Sequence, residues 1–570
     1  MHILKRFIEL LSYRENLDRE GFILKETIDD KEDRTSNNDK QEGRRPFRKP
    51  RHAPDMAKGE HAQDSRAVSA YLKENKKALN RMYGLPGNKD VVIRDFIIGT
   101  NPAIECFSVF IDGMTDTAVQ DLLFQALMAF AGRPAPADKG NIAKMVKNNL
   151  LPGNQVTIQS HFRDVLDAVN YGDTAIFFEG CAEVALVETK GWEHRGVDRP
   201  VSEQTVLGPQ EAFNETLRSN TALLRKLIKS EKLSTEFIKV GVRNETIVAV
   251  MYLRDLANPA LVAEVKRRIN SIKVDHILDS GVLEQFIEDN PYNLNSTVLA
   301  TERPDRIASK IVEGRVAILV DGSPFVLVVP TTMYEQLHTG EESYSRWQFG
   351  TFIRYLRVFA FGLSFLLPGL YLAIVLFHHE MIPTELLLAI AGNREKVPFP
   401  SIVEVLLMEL SFELIREAGL RIPGIMGSTI GIIGALILGQ AAVQANIVSP
   451  ILVILVAVTG LASFAIPYYS LAFTARIYRF IYIALGVTLG FFGISMGLFA
   501  QIILTANLKS FGAPYLAPTG PRTVAGGDIV TRLPVFFHER RPDYVNPQDI
   551  TRQPEISRGW TRQNGGEKSD

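Results

Sequence analysis

Five hundred and seventy residues exceed what one hydrophobic core can organise, so at about 150 residues per unit the chain folds as several units. A net charge of −1 leaves no field to recruit nucleic acid, and two cysteines, Cys106 and Cys181, exclude both a disulfide framework and a four-cysteine zinc site. The averages, 46% apolar and 22% charged, conceal an asymmetry: Ile422 to Ala475 is 54 residues without Asp, Glu, Lys or Arg, whereas 26 of the 53 residues from Arg14 to Arg66 are charged.

The first residues, MHILKRFIELLSY, form an apolar run broken by Glu9 with no small-residue cleavage site after it. They read as a short amphipathic helix and not as an export signal. The mixed-charge stretch behind it holds too few apolar side chains to offset chain entropy, so residues 1–68 are predicted to be a disordered extension.

Order is predicted from Ser69. A helix ends at Gly84, strands follow at 95–99 and 105–113, and Asp116 caps a helix over 116–130. Strands 175–180 and 183–189 face each other through Cys181-Ala182 as a hairpin. These elements make a first α/β module over 69–200. A second, over 201–350, holds helices at 209–228, 259–270 and 303–314. Its strands lie at 237–241 and 246–253, and a hairpin turns at Gly322-Ser323. No phosphate loop, nucleophile elbow, zinc-binding HExxH or CxxC occurs, so the chain is not read as an enzyme and no cofactor or metal is assigned.

The remaining architecture is an all-α multi-span membrane domain over 354–508. About 20 apolar residues cross a ~30 Å hydrocarbon core. Val358–Phe377 is uncharged and gives a first span. The 54 uncharged residues would reach about 81 Å as one helix, so they fold back near Asn446–Pro450, giving spans near 424–443 and 450–467. A fourth span is placed at 480–505, and the spans number five if residues 402–418 also cross. Arg346, Arg354 and Arg357 before the first span put the amino-terminal modules on the cytoplasmic side. From 509 a polar carboxyl tail follows, read from residue 520 as an extended or disordered docking segment.

Between the first two spans, residues 402–418 form an amphipathic helix. Glu409, Glu413, Arg416 and Glu417 share one face, with Val403, Leu407, Leu414 and Ala418 opposite. Two readings stay open: a helix lying at the membrane interface, or one lining a vestibule, since intramembrane charges face water or protein. In the second span Gly427, Gly431 and Gly434 make a stripe suited to close helix packing. Gln440 and Gln444 lie on a different face and need partners or water. A pore through this helix would narrow near Ile437 or Leu438.

Five strings together resemble the A subunit of the GerA family of spore germinant receptors: GPQEAFNETLRSNTALLRKLI (208–228), ERPDRIASKIVEGRVAILVDGSPFVLVVP (302–330), VPFPSIVEVLLMELSFELIREAGLRIP (397–423), GQAAVQANIVSP (439–450) and FGAPYLAP (511–518). Leu207 stands where the family carries a basic residue, and the charged extension is longer than the family pattern. The resemblance implies a multi-pass protein of the inner membrane of a bacterial spore. Its implied partners are the lipid bilayer, further copies of itself, a transporter-like B subunit and a lipoprotein C subunit. It implies a ring that conducts ions when nutrient binds; the alternative is a non-conducting scaffold or a germination-amplifying paralogue.

Overall fold

The computed structural model describes residues 24, 66–129, 142–149, 156–191, 200, 202–421, 439–523 and 528–553. Most of the charged extension, and residues 424–438 of the second predicted span, lie outside them. The described residues of the first module start at Arg66, ahead of the expected Ser69. Within the stretch expected to be disordered, Val68 and Leu24 are buried, and Leu24 joins the core of the second module.

The first module runs α1 (Leu72–Tyr83), β1 (Val91–Ile98), β2 (Ile104–Ile111), α2 (Thr117–Met128), α3 (Ile142–Asn149), β3 (Val156–Gln159), α4 (Phe162–Asn170), β4 (Thr174–Phe178) and β5 (Val184–Val187). The second repeats that plan: α5 (Leu217–Leu227), β6 (Leu233–Val240), β7 (Thr246–Leu253), α6 (Pro259–Ser271), α7 (Ser280–Ile287), β8 (Leu299–Thr301), α8 (Pro304–Val312), β9 (Val316–Val320) and β10 (Val326–Val329). The strand orders, β1-β2-β4-β5-β3 and β6-β7-β9-β10-β8, are the same permutation. Every neighbouring pair is antiparallel. The alternation of strands and helices predicted an α/β region of one or two small modules; the repeated strand order of its two sheets was not legible.

Local chemistry sets the boundaries. Asp116 caps α2 by accepting from the amides of Ala118 and Val119. Gly180 and Gly322 turn the matching hairpins at φ 83° and 86°, where a Cβ is strained. The predicted helix at 209–228 starts only at Leu217. Asn220 binds both backbone groups of Asn214, at 2.9 and 2.6 Å, and Phe213 N donates to Glu302 O. That commits the preceding residues to an extended path. The modules are joined by a buried ion pair: Arg225 donates to Asp90 at 2.6 and 2.7 Å, and Thr235 Oγ1 donates to the same carboxylate at 2.8 Å.

Behind the second module lie α9 (Glu341–Tyr344), α10 (Trp347–Phe377), α11 (Thr384–Arg394), α12 (Ser401–Arg421), α13 (Pro450–Phe464) and α14 (Tyr469–Ala506). Among the described residues, α10 and α14 are long and apolar enough to cross a membrane. The predicted first span falls within α10. The third shortens to α13, about 22 Å at 1.5 Å per residue and less than a full hydrocarbon core.

The predicted span at 480–505 is not one crossing. Gly490 adopts φ 57° and ψ −141°, and α14 doubles back there. Tyr482 Oη donates to Gln501 Oε1 at 2.7 Å, although 19 residues of straight helix would part them by about 28 Å. The first arm, Tyr469–Leu489, rises about 31 Å and packs along α10. There Gly369 and Gly486 bring the two backbones closer than any Cβ permits. The second arm returns to the second module, where Ser510 Oγ donates to Thr297 O at 2.6 Å.

The carboxyl tail is not free. Residues 528–553 run as irregular chain over α10 and the second module. His338 Nε2 donates to Ile529 O at 2.7 Å, Arg541 Nε to Val312 O at 3.0 Å, and Gln548 Nε2 to Ala257 O at 2.6 Å. Tyr544 Oη reaches Glu335 at 3.3 Å. Burial pushes the Glu335 carboxyl up, but the Arg315 and Lys310 charges beside it outweigh burial and hold it well below the usual carboxylate range. Burial and the Arg354 charge lower the His338 imidazole to about 4, so it is neutral near pH 7.

Two outcomes follow from this geometry. Gly490→Ala meets His378 and Phe377 at 3.1–3.2 Å in a strained backbone state, and is expected to cost about 1–2 kcal/mol, read as a lowered thermal midpoint in detergent. Because the folded carboxyl of Glu335 titrates below its unfolded value, its contribution is complete above roughly pH 4.3 and is lost as pH falls further. Hydrogen exchange over 541–550, measured against the intrinsic rate at each pH, is expected to be strongly retarded at pH 7 and less retarded below about pH 4. Glu335→Gln, which strands buried Arg315, is expected to quicken it at neutral pH.

Candidate functional site

Helix α12 buries two of its carboxylates while leaving several of its apolar side chains exposed. On α12 the apolar residues Val403, Leu410 and Leu414 are 39%, 54% and 71% exposed, while Glu404 and Glu409 are buried. A water-soluble helix turns its charges outward, so this pattern suits hydrocarbon surroundings. Spacing decides which charges meet. Glu409 and Glu413, four residues apart on α12, face Arg476 and Arg479, three apart on the first arm of α14.

Arg479 Nη1 donates to Glu409 Oε2 at 2.6 Å, with both side chains wholly buried, and Arg479 Nε donates to Ser364 O of α10 at 2.8 Å. Glu413 stands 3.5 Å from Arg479, 3.6 Å from Arg476 and 3.4 Å from Arg416. Arg416 Nη2 donates to Ser463 Oγ of α13 at 2.5 Å, and its guanidinium lies over Phe464 and Phe412, 4.6 and 4.9 Å from the ring centres. One carboxylate thus gathers three arginines from two helices. At the other end of α12, Glu404 accepts from Ser449 N at 3.1 Å and pins the turn before α13. Apolar packing of Leu372, Val405, Met408, Val456 and Ile483 surrounds the charges.

A second charged centre sits where α10 leaves the second module. Glu342 binds both Arg354 and Arg357, and Arg354 Nη1 also donates to Asp528 at 2.5 Å. Arg532 of the tail donates to the backbone oxygens of Glu342, Ser343 and Ser345. Two of the arginines counted in the sequence as topological signals, Arg354 and Arg357, are therefore also ion-pair partners.

The structure brings Glu409, Glu413 and Arg416 together and turns Glu417 outward, where it is exposed. Gln440 and Gln444 follow one another on an exposed face of the helical residues 439–444. Ile437, Leu438, Gly427, Gly431 and Gly434 lie outside the described residues. Sequence reading took Arg476 and Arg479 only as orientation signals between the third and fourth spans and did not pair them with Glu409 and Glu413, nor did it single out Ser463 or the Gly369–Gly486 crossing. The signals were present: two arginines three apart in an apolar stretch, and the spacings Gly486-x-x-x-Gly490 and Gly493-x-x-x-Gly497. Among the described residues no group of three or more His, Cys, Asp or Glu side chains is placed to hold a metal ion.

Removing one member of the buried pair strands the other. Glu409→Gln or Arg479→Leu alone is expected to destabilise by about 3–5 kcal/mol. The double variant Glu409→Gln/Arg479→Leu, which carries the same two substitutions, is expected to recover most of the loss. Thermal unfolding of the four proteins in one detergent checks this cycle.

Residues 77–544 match the family described as Bacillus/Clostridium GerA spore germination protein. Spore germination protein KA of Bacillus subtilis (strain 168) is 38% identical over 467 residues, which span 82% of this chain and 85% of that one. The uncharacterized membrane protein YfkQ of the same organism is 36% identical over 479 residues, spanning 84% of this chain and 92% of that one. The crystal structure of the N-terminal domain of the A subunit of the Bacillus megaterium spore germinant receptor GerK3 aligns with 46% of this chain and 96% of its own length, at 32% identity and a TM-score of 0.34.

Proposed function

The chain belongs to the GerA spore germination protein family, and on that premise we propose that it is the membrane-embedded A subunit of a germinant receptor, assembling with copies of itself into a nutrient-gated ion channel. Its partners on this reading are a transporter-like B subunit, which holds the nutrient, and a lipoprotein C subunit. The bundle crosses the inner membrane of the spore several times, with both α/β modules on the cytoplasmic side.

One observation carries the channel reading beyond family membership: Gln440 and Gln444 are both exposed in the single chain, one helical turn apart. A carboxamide facing hydrocarbon loses its hydrogen bonds at a cost of several kcal/mol. Two of them in register call for a neighbouring copy or a file of water, and a ring of copies supplies both. The inside-out α12 supports immersion of the same bundle in lipid. The Gln face adjoins residues 424–438, where Ile437 and Leu438 are proposed as the constriction and Gly427, Gly431 and Gly434 as the close-packing stripe.

Single cysteines placed from 424 to 445 in otherwise cysteine-free protein test the reading. A water-soluble thiol reagent is expected to label Cys at 440 and 444 with helical period, and an oxidant is expected to link the same positions between copies. Liposomes carrying the receptor subunits are expected to release ions on nutrient addition, and the Leu438→Ala variant to release them without nutrient. Uniform protection along 424–445, with liposomes that stay tight, returns the chain to the scaffold role.

A further inference from the structure

We infer that the arginine cluster of the helical bundle is a binding site for a small monovalent anion, of the chemical class of chloride, bromide or nitrate. The inference rests on the membrane placement of the bundle and not on the channel.

The charge inventory leads to it. Arg416, Arg476 and Arg479 converge on Glu413 and Glu409, three cations on two anions. The other helices packed against the cluster supply no further carboxylate: α10, α13 and α14 contain no Asp or Glu, and neither does any residue from Ile422 to Ala475. On α12 itself, Glu404 is engaged at the opposite end by Ser449 N and stands 3.9 Å from Arg394 of α11. Glu417 is turned to the exposed side. Arg354 and Arg357 of α10 are answered by Glu342 and Asp528. Among the described residues the cluster therefore sets three guanidinium charges against two carboxylates, one cation in excess. Side-chain exposures of 0%, 8% and 13% for Arg479, Arg416 and Arg476 leave little access to bulk water for screening it.

The hydrogen-bond inventory points the same way independently. Among the described residues, Arg479 Nη2 and Arg416 Nε are buried donors with no hydrogen-bond partner. Buried guanidinium donors are seldom left so. A monovalent anion matches both deficits, one charge and two N–H groups. A dianion would reverse the sign of the cluster. Glu409 Oε1 is also buried without a partner and repels an anion. The site therefore lies on the Arg416–Arg476 side, beside the Ser463, Phe412 and Phe464 contacts of Arg416, where side-chain exposures of 8% and 13% exceed the 0% of Arg479. An anion there links α12, α13 and the first arm of α14, so its occupancy stiffens the bundle.

The test is thermal unfolding of the full chain in detergent at constant ionic strength, with potassium gluconate exchanged stepwise for potassium bromide. The expected result is a saturating rise of the midpoint by about 2–4 °C. Arg416→Gln, which removes the unanswered charge, is expected to abolish the bromide response. Glu413→Gln, which leaves two charges unanswered, is expected to enlarge it. A wild-type chain indifferent to bromide overturns the site, as it would if water alone satisfied the donors or if an acidic segment of another subunit did. An equal rise in the wild type and both variants is a general salt effect and overturns it too. Neither result touches the membrane placement, which fails separately if the chain is soluble and monodisperse without detergent.

Discussion

A guanidinium held in a low-dielectric interior must find an anion, and that requirement organises the helical half of this protein. Arg479 is wholly buried, and it meets the equally buried Glu409. For that meeting to occur, α12 has to present its charged face inward and its apolar face outward, and α14 has to lie along α10 closely enough for Arg479 to reach Ser364 O. The contact between Gly369 and Gly486 permits that approach, because two backbones without Cβ atoms pack closer than any other pair. The reversal at Gly490 then returns the chain to its starting side, and a single glycine serves because φ 57° with ψ −141° is open to a residue without a side chain.

The same logic, with charge pairs at each joint, links the soluble modules to the bundle. Arg225 and Asp90 weld the first module to the second. Glu342, grasped by Arg354 and Arg357, fixes the point where α10 emerges from the second module. The tail lies across that joint and back over Arg315 and Glu335, so it ties α10 and the second module together. Tyr468, at the start of α14, shares hydrogen bonds with Val298 and Ala300 around β8. A single apolar cluster continues from α5 and α8 through Leu337 to Phe365 and Tyr482. A displacement of the modules would therefore reach α10 and α14 through packed and paired side chains, the physical requirement for relaying a partner's signal.

How much of this was legible varies element by element. Helix α1 ended where Gly84 demanded it, α2 began at its Asp116 cap, and the hairpins at Gly180 and Gly322 were placed by their turn residues, because each signal is local. Helix α5 was over-extended because the brake, Asn220 gripping Asn214, acts through a side chain whose backbone partner is chosen only once the extended segment docks beside Glu302. The duplicated topology escaped notice because it is written in strand order, while FFEG-CAEVALV and LVDG-SPFVLVV retain only a faint echo of one another. The span at 480–505 was misread because an uncharged stretch reports only that it avoids water; it carries no record of whether it runs straight.

The amino-acid sequence by itself determined which segments shun water, where strands and helices alternate, which turns need glycine, and the family to which the chain belongs, since all of these are properties of neighbouring residues or of linear strings. Tertiary structure alone decided which arginine answers which carboxylate, that α14 is a hairpin, that the tail is a strap, and that the two modules repeat one plan. Those outcomes depend on pairs separated by 19 residues, as Tyr482 and Gln501 are, by 70, as Glu409 and Arg479 are, or by 174, as Arg354 and Asp528 are. The energy of each such pair is set by burial and distance, which exist only once the chain has folded.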